Sequence, residues 1–310
     1  MKKLIIAAVV AAAVGGVAYA NYAVTQEVKT VVDQQLSALS AQSGVDITYS
    51  DISASVFDSS MELSGIKVQS LDSNEAIATI DTIEVSGYEQ DSIPPHTGFV
   101  MTNFRFSDDF LAQLPQNANN KLASTSYNVK SSLDYNKDSG DSAFAVNVTA
   151  NEVADVHFNL GLAKSTPLME ASLAISKMQN STQNGQLTLE QQLQQQSKMM
   201  AAMSQLEPRS ISMSVADEGE LKAVVESFLQ AQGMTHEQFQ QVVAMQLQQA
   251  PVSTDLETAI TNFAQGLSSL SVSANLPEGQ SMMQINQQIM ALMGQPEELA
   301  KFINLQASGK

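Results

Sequence analysis

The chain has 310 residues, 44 % of them hydrophobic, and is long enough to bury one or two apolar cores. Its 32 acidic residues outnumber its 15 basic ones, and the formal net charge of −17 excludes nucleic acid and anionic membrane surfaces as partners, since both require a basic surface. The chain has no cysteine, which excludes disulfides, thiolate nucleophiles and cysteine-bound metals.

The first twenty residues predict export across a membrane. Lys2 and Lys3 precede an apolar run, Leu4 to Ala20, which ends in the cleavage pattern Ala18-Tyr19-Ala20. Residues 1–20 are therefore either a signal peptide cleaved after Ala20 or a retained membrane anchor, whose apolar run is near the lower limit for crossing a bilayer. In both cases the lysines stay on the cytoplasmic side and the remainder is exported.

Residues 21–44 predict an amphipathic helix that continues directly from this segment. Apolar residues recur every three or four positions, and Gly44 suits the end of a helix. These positions are Val24, Val28, Val31, Val32, Leu36 and Leu39. Because no helix-breaking residue follows Ala20, one continuous helix favours a retained anchor over cleavage.

Residues 45–178 predict a strand-rich region, since apolar residues there alternate with polar ones. The apolar sets are Val45, Ile47 and Tyr49; Met61, Leu63, Ile66 and Val68; Ile77, Ile80, Ile83 and Val85; Phe99 to Phe106; Tyr127, Val129, Leu133 and Tyr135; Phe144, Val146 and Val148; Ala154 to Leu162; and Met169, Ala171, Leu173 and Ile175. A short helix capped by Ser107 interrupts them, and residues 136–141 form a hairpin turn. The resulting sheet has one apolar face, which helices, a second sheet or a lipid chain must cover.

Residues 179–310 predict a helix-rich region with two further strands, near residues 209–215 and 270–276. Thr235 and Gln238 form a capping box, and Pro296 opens a short last helix. The stripe of Met199, Met200 and Met203 favours a place in the core over a lipid cradle. We therefore expect an α+β fold, in which an extended, curved antiparallel meander carries amphipathic helices on one face.

No residue pattern points to catalysis, a cofactor or a metal. His96, His157 and His236 lack partners at ligand spacing, and the sequence has no nucleophile motif such as G-x-S-x-G. The acidic groups are Asp51, Asp58 and Glu62; Asp108 and Asp109; and Asp217, Glu218 and Glu220. None matches a calcium loop, and we interpret them as solvated turns and the chain as a non-enzyme.

The opening of the chain resembles the YdgA-like family of bacterial single-anchor envelope proteins and, more distantly, AsmA-like proteins. The resemblance rests on the lysine pair, on Gly15-Gly16-Val17-Ala18-Tyr19, on the directly joined helix, and on residues 45–49 and 56–63. It covers about the first seventy residues. It implies an inner-membrane anchor with the body in the periplasm, whereas cleavage at Ala20 would give a soluble periplasmic protein. AsmA-like relatives imply a lipid-handling groove.

Two functions follow as expectations. In the first, the apolar sheet face opened by Tyr127, Val129, Phe144, Val146 and Phe158 binds a lipid acyl chain or a hydrophobic segment. In the second, acidic, glutamine-rich helices bind an envelope partner protein through positions such as Gln192 and Gln195. An envelope hydrolase has no nucleophile or metal set to support it.

Overall fold

The computed structural model describes residues 29–112, 120–181 and 189–310, with short gaps at 31, 35, 38–39, 41–42, 56–58 and 88–91. The predicted export segment, residues 1–20, and the start of the predicted helix 21–44 lie outside the described residues. From residue 29 to residue 43 every described position is helical, and this helix is named α1. Within the described ranges, no helix combines the length and the apolar character needed to cross a membrane.

The described residues form an α+β fold built on one open antiparallel sheet, which confirms the predicted fold class. The strands are β1 (Val45–Thr48), β2 (Asp51–Ser55), β3 (Ser60–Ser70), β4 (Ala76–Ser86), β5 (His96–Phe106), β6 (Tyr127–Asn136), β7 (Asp141–Ala150), β8 (Ala154–Ala163), β9 (Glu207–Asp217), β10 (Ser269–Asn275) and β11 (Gln306–Gly309). Their order is β1-β3-β4-β5-β6-β7-β8-β9-β10-β11, and β2 also pairs with β3. From β3 onward each strand neighbours the next one along the chain, so the sheet is a meander.

Helices interrupt this meander at its middle and in its second half. After α1 they are α2 (Asp108–Ala112), α3 (Asn120–Ser124), α4 (Thr166–Ser181), α5 (Leu189–Gln205), α6 (Leu221–Ala231), α7 (His236–Gln249), α8 (Thr254–Gly266), α9 (Met282–Leu292) and α10 (Pro296–Phe302). The predicted capping box at α7 is confirmed: Thr235 Oγ1 accepts the Gln238 N–H at 3.2 Å, and Gln238 Oε1 accepts the Thr235 N–H at 2.8 Å. The predicted cap of α2 is also present, since Ser107 Oγ accepts the Phe110 N–H at 3.2 Å.

One prediction about a single element is wrong. Residues 169–175 belong to helix α4 and not to a strand, because Pro167 suits a helix's first turn and the following Leu, Met, Glu and Ala are strong helix formers. His96 is the first residue of β5. The four-residue strand β11 was not predicted, since Gln-Ala-Ser-Gly has no alternation of large apolar side chains.

Contacts divide the chain into two compact units. Unit 1 takes in the described residues within 29–87, 96–132 and 148–153, and unit 2 takes in those within 92–95, 133–147 and 154–310. The expected change from a strand-rich to a helix-rich part, near residue 178, falls inside α4.

The core of unit 1 joins α1 to the sheet. Val32 and Leu36 of α1 are buried together with the apolar residues of β1 to β5. These residues are Val45, Ile47, Ile52, Met61, Leu63, Ile66, Val68, Ile77, Ala78, Ile80, Ile83, Val85, Met101 and Phe104, with Phe110 of α2. Burying each large member contributes about 1.5–3 kcal/mol, so this aliphatic cluster is the main source of stability for unit 1.

The apolar alternation in unit 1 shifts by one residue at one level of three paired strands. The three-residue steps are Leu63 to Ile66 in β3, Ile80 to Ile83 in β4 and Met101 to Phe104 in β5. At this level Gly65 and Asn103 have left-handed φ angles of 61° and 57°. Glycine adopts this conformation freely and asparagine tolerates it. The backbones of β3 and β5 therefore rotate at these residues, and the apolar side chains stay on the core side.

Candidate functional site: the apolar face of strands β7 to β10

The strands of unit 2 separate apolar and polar side chains onto opposite faces. Cross-strand pairing aligns three apolar rows over β8, β9 and β10. The rows are Val156, Val215 and Leu270; Phe158, Met213 and Val272; and Leu160, Ile211 and Ala274. The intervening rows are polar, for example His157, Ser214 and Ser271, and Asn159 donates to Ser212 Oγ at 3.2 Å.

Helix α8 closes the apolar face where it reaches β10 and β11. Gly309 of β11 pairs with Leu270, and a Cβ at Gly309 would collide with the Ala259 carbonyl of α8 and lie 3.1 Å from the Phe263 nitrogen. This approach is possible because glycine has no side chain. Ala259 and Ala274 are 2 % and 6 % exposed, so this end of the face is a packed core.

The same face is open over β7, β8 and β9. Phe144, Ile211 and Met213 keep 37 %, 42 % and 47 % of their surface exposed. The rings of Phe144 and Phe158 lie edge to face with centroids 6.5 Å apart, and Val146 and Leu160 are half-buried. These residues form an apolar surface without a titratable group, which we call the open face; its chemistry allows binding and offers no acid, base or nucleophile.

One buried hydroxyl belongs to the same side of β7. Ser142 stands two residues before Phe144, so strand geometry places both side chains on one face. Ser142 is 6 % exposed, and within the described part of the chain its Oγ has no hydrogen-bond partner. A buried hydroxyl without a partner costs about 1–3 kcal/mol.

Two of the residues that were not predicted to take part in catalysis or metal binding, His236 and Asp217, make structural contacts. His236 places Nε2 2.8 Å from the Ala264 carbonyl and Nδ1 3.4 Å from Glu226, and so joins α6, α7 and α8. Asp217 accepts the N–H groups of Gly219 and Leu221 at 2.8 Å in the turn before α6. His157 is exposed opposite Ser214, and no set of three His, Asp or Glu side chains that could hold a metal exists among the described residues.

The acidic side chains near the start of the sheet are not brought together as a ligand set. In the sheet Asp51 lies opposite Ser64, and Glu62 lies opposite Ser53 of β2 and Glu84 of β4. The carboxylates of Asp51, Glu62 and Glu84 are exposed, and Asp58 lies outside the described residues.

The expected burial of the methionine stripe is wrong for α5. Met200 and Met203 are 64 % and 49 % exposed and Met199 is half-buried, because the side of α5 that is fully buried is that of Ala202. Of the glutamines expected to bind a partner, Gln195 is half-buried and the side chain of Gln192 lies outside what the structure describes.

Sequence reasoning also missed a buried ion pair at the start of β9. Glu207 is 3 % exposed and bonds both Lys164 and Arg209, with Glu207 Oε2 3.2 Å from Arg209 Nη2. The Lys164 ammonium lowers the pKa of Glu207, and Arg209 and the Gly279 N–H add to the effect against the opposing influence of burial. Lys164 and Glu207 are distant in sequence, so only the pairing of β8 with β9 reveals them as neighbours.

One protein-family model, with the description "uncharacterized protein", matches residues 147–310, which is more than half of the chain. The chain belongs to this family. The family region begins inside β7 and includes β8 to β11 and α4 to α10, so it contains the open face except for Phe144 and its β7 neighbours. A comparison with curated proteins gives no match.

Proposed function

We propose that this chain is a non-enzymatic cell-envelope protein that holds a lipid acyl chain on its open face. The observation that carries the proposal is the exposure of Phe144, Ile211 and Met213 on a face whose other end is closed by α8. Covering apolar surface contributes about 25 cal/mol per Å², so a ligand of matching chemistry is stabilised there.

The composition of the open face supports an acyl chain as the ligand. Its rows are aliphatic and aromatic, Met213 adapts to an irregular flexible chain, and no charge needs to be desolvated.

The sequence supports an envelope location for this binding. Residues 1–20 have the pattern of an export segment, and the resemblance to YdgA-like and AsmA-like proteins implies a periplasmic body held at the inner membrane. A retained anchor would keep the protein beside a source of acyl chains. We assign no reaction and no cofactor.

Photo-crosslinking in cells tests the acyl-chain proposal on the full chain. Cells that produce the protein are fed a fatty acid carrying a diazirine, and labelled peptides are mapped after denaturing purification. We expect labels on the peptides that contain Phe144 and Met213. Replacing Ile211 and Met213 by glutamine should lower labelling several-fold, because the ligand loses apolar contact area at positions that are already exposed.

The matched control is Phe228→Gln on α6, where a 56 % exposed ring lies outside the open face. This variant should label like the wild type. Labels confined to residues 1–20, or equal labelling of all variants, would refute the acyl-chain function.

A further inference from the structure

Two helices of unit 2 expose apolar stripes with the same spacing. In each stripe the second residue follows the first by seven positions and the third follows by three more, which places all three on one side of a helix. The stripes are Leu193, Met200 and Met203, 58 %, 64 % and 49 % exposed, on α5, and Met283, Met290 and Met293, 59 %, 70 % and 60 % exposed, on α9 and its C-cap.

The two helices are neighbours, and each buries a different side from its stripe. The Met282 N–H at the start of α9 donates to the Leu206 carbonyl after α5 at 2.9 Å. Ala202 and Leu206 are each 4 % exposed and Ile285 is 2 % exposed, so these residues form the packed sides. The stripes are therefore not needed for the packing that holds α5 and α9 in place.

The surroundings of the stripes define the chemistry of a partner. No charged residue occurs within α9, whose other exposed residues are glutamine, asparagine and Ala291. Six exposed long apolar side chains on neighbouring helices are typical of an interaction surface, and methionine adapts to varied partners. The chain as a whole has a net charge of −17, which repels an acidic partner and attracts a basic one.

We propose that the exposed stripes of α5 and α9 dock an amphipathic helix of a partner protein, with basic residues beside its apolar face. Helices recognised in this way present apolar anchors three, four and seven residues apart, and both stripes contain the steps of three and seven. This inference goes beyond acyl-chain binding and uses none of the residues of the open face, so either can fail without the other.

Fluorescence anisotropy on the full chain tests the docking surface. The protein is placed in nanodiscs of zwitterionic lipid, with empty nanodiscs as the blank, and titrated with a labelled leucine–lysine helical peptide of about eighteen residues. A leucine–glutamate peptide of the same pattern is the charge control. We expect binding of the basic peptide that weakens with salt, and no comparable binding of the acidic one.

Paired substitutions locate the binding on the helices. Changing Met200 and Met203 to glutamine, or Met290 and Met293 to glutamine, should weaken binding about tenfold or more, whereas leucine at the same positions should retain it. Met245→Gln on α7, at a 58 % exposed position outside the stripes, is the matched control.

Three results would overturn the proposal. They are equal affinity for the acidic peptide, unchanged affinity in both paired glutamine variants, and a concentration-dependent dimer in sedimentation that the same variants abolish. The last result would assign the stripes to a second copy of this chain. Circular dichroism of each variant verifies that the fold is intact.

Discussion

Glu207 is a buried carboxylate whose charge is held by two cations. Because Lys164 and Arg209 lower its pKa in the folded state, its ionised form stabilises the protein. This stability is complete above the ordinary glutamate pKa of about 4.3 and is lost as the pH falls through the lower folded pKa. Lys164 is largely exposed and can be rehydrated, which limits the loss when its partner is removed.

Glu207→Gln should therefore destabilise the protein by about 1–3 kcal/mol at neutral pH, since a charged hydrogen bond becomes a neutral one. The deficit should shrink as the pH is lowered below about 4, where the wild type also loses the charge. Urea denaturation at several pH values measures both effects. Glu218→Gln, at an exposed position, is the control, and a deficit independent of pH would contradict the role of the charge.

Gly65 is required by its backbone conformation and by its neighbour. Its φ is 61°, and a Cβ there would collide with the Ser50 hydroxyl. Gly44 has a φ of 73° but open space around it, which makes it a matched control in the same unit. Both changes to alanine should cost about 1–2 kcal/mol for the left-handed conformation, and Gly65→Ala should cost more because of the collision. Equal unfolding free energies for the two variants would show that Ser50 yields without cost.

Asn103 shows how a polar side chain stabilises the same level of the sheet. Its Nδ2 donates to Asp81 at 2.6 Å, its Oδ1 accepts from Arg105 Nε at 2.7 Å, and its N–H donates to Asn128 Oδ1 at 2.8 Å. Asn128 in turn donates to Asn151 Oδ1 at 3.1 Å. These polar contacts cross neighbouring strands of unit 1, so the shift in alternation is fixed by side chains as well as by the core.

The N-terminus of α8 is capped by a residue that is distant in sequence. Ser253, the N-cap residue, makes no capping bond with its side chain. Instead Glu297 Oε1 accepts both the N–H and the hydroxyl of Thr254 at 2.8 Å. The Thr254 N–H, followed by its hydroxyl, lowers the pKa of Glu297. Since α8 covers one end of the apolar face, this contact of α10 supports the closed end of the site.

Glu297→Ala should accelerate hydrogen exchange at the first turn of α8, whereas Glu297→Gln should have an intermediate effect because its amide oxygen still accepts a bond. In the wild type the protection should decline as acid protonates Glu297, at a pH below the ordinary range of a glutamate, because its folded pKa is lowered. Glu298→Ala, next to it and paired with Lys301, is the control. Unchanged exchange in the alanine variant would show that Glu297 does not hold α8.

Element type was predictable where a single period extends over several residues, and not where two periods fit. The alternation of β3 and β4 was predicted and is confirmed, because one side of each strand meets a core. Residues 169–175 fit an alternating pattern, yet they form a helix. The side on which α5 packs could not be predicted, since Ala202 and Met203 are both apolar and only the neighbouring elements determine which is buried.

The candidate site could also be predicted only in part. Sequence periodicity placed Tyr127, Val129, Phe144, Val146 and Phe158 on one apolar face. In the structure Tyr127 and Val129 pack against the core of unit 1, and Phe144, Val146 and Phe158 belong to the open face. Periodicity could not reveal that α8 covers only the far end, because that depends on Gly309 admitting the helix backbone. The antiparallel α+β architecture follows from local patterns, whereas the open and closed parts of a face follow from contacts between distant segments.

The fate of residues 1–20 decides whether the molecule is tethered. We expect a retained anchor, so intact-mass analysis of the membrane fraction should give the 33.2 kDa full chain and not a product beginning at Asn21. Replacing Ala18 and Ala20 by leucine removes the small-residue cleavage pattern and should leave the processing unchanged. A mature N-terminus at Asn21 in the wild type would make the protein soluble and refute the anchor.

The strands at both edges of the sheet are short. At one end β1 and β2 have four and five residues, and at the other β11 has four. An unpaired strand edge is a template for amyloid-like growth, and short edges give little backbone for an incoming strand to pair with. This protein can therefore expose apolar side chains on its surface while its backbone offers few sites for aggregation by strand addition.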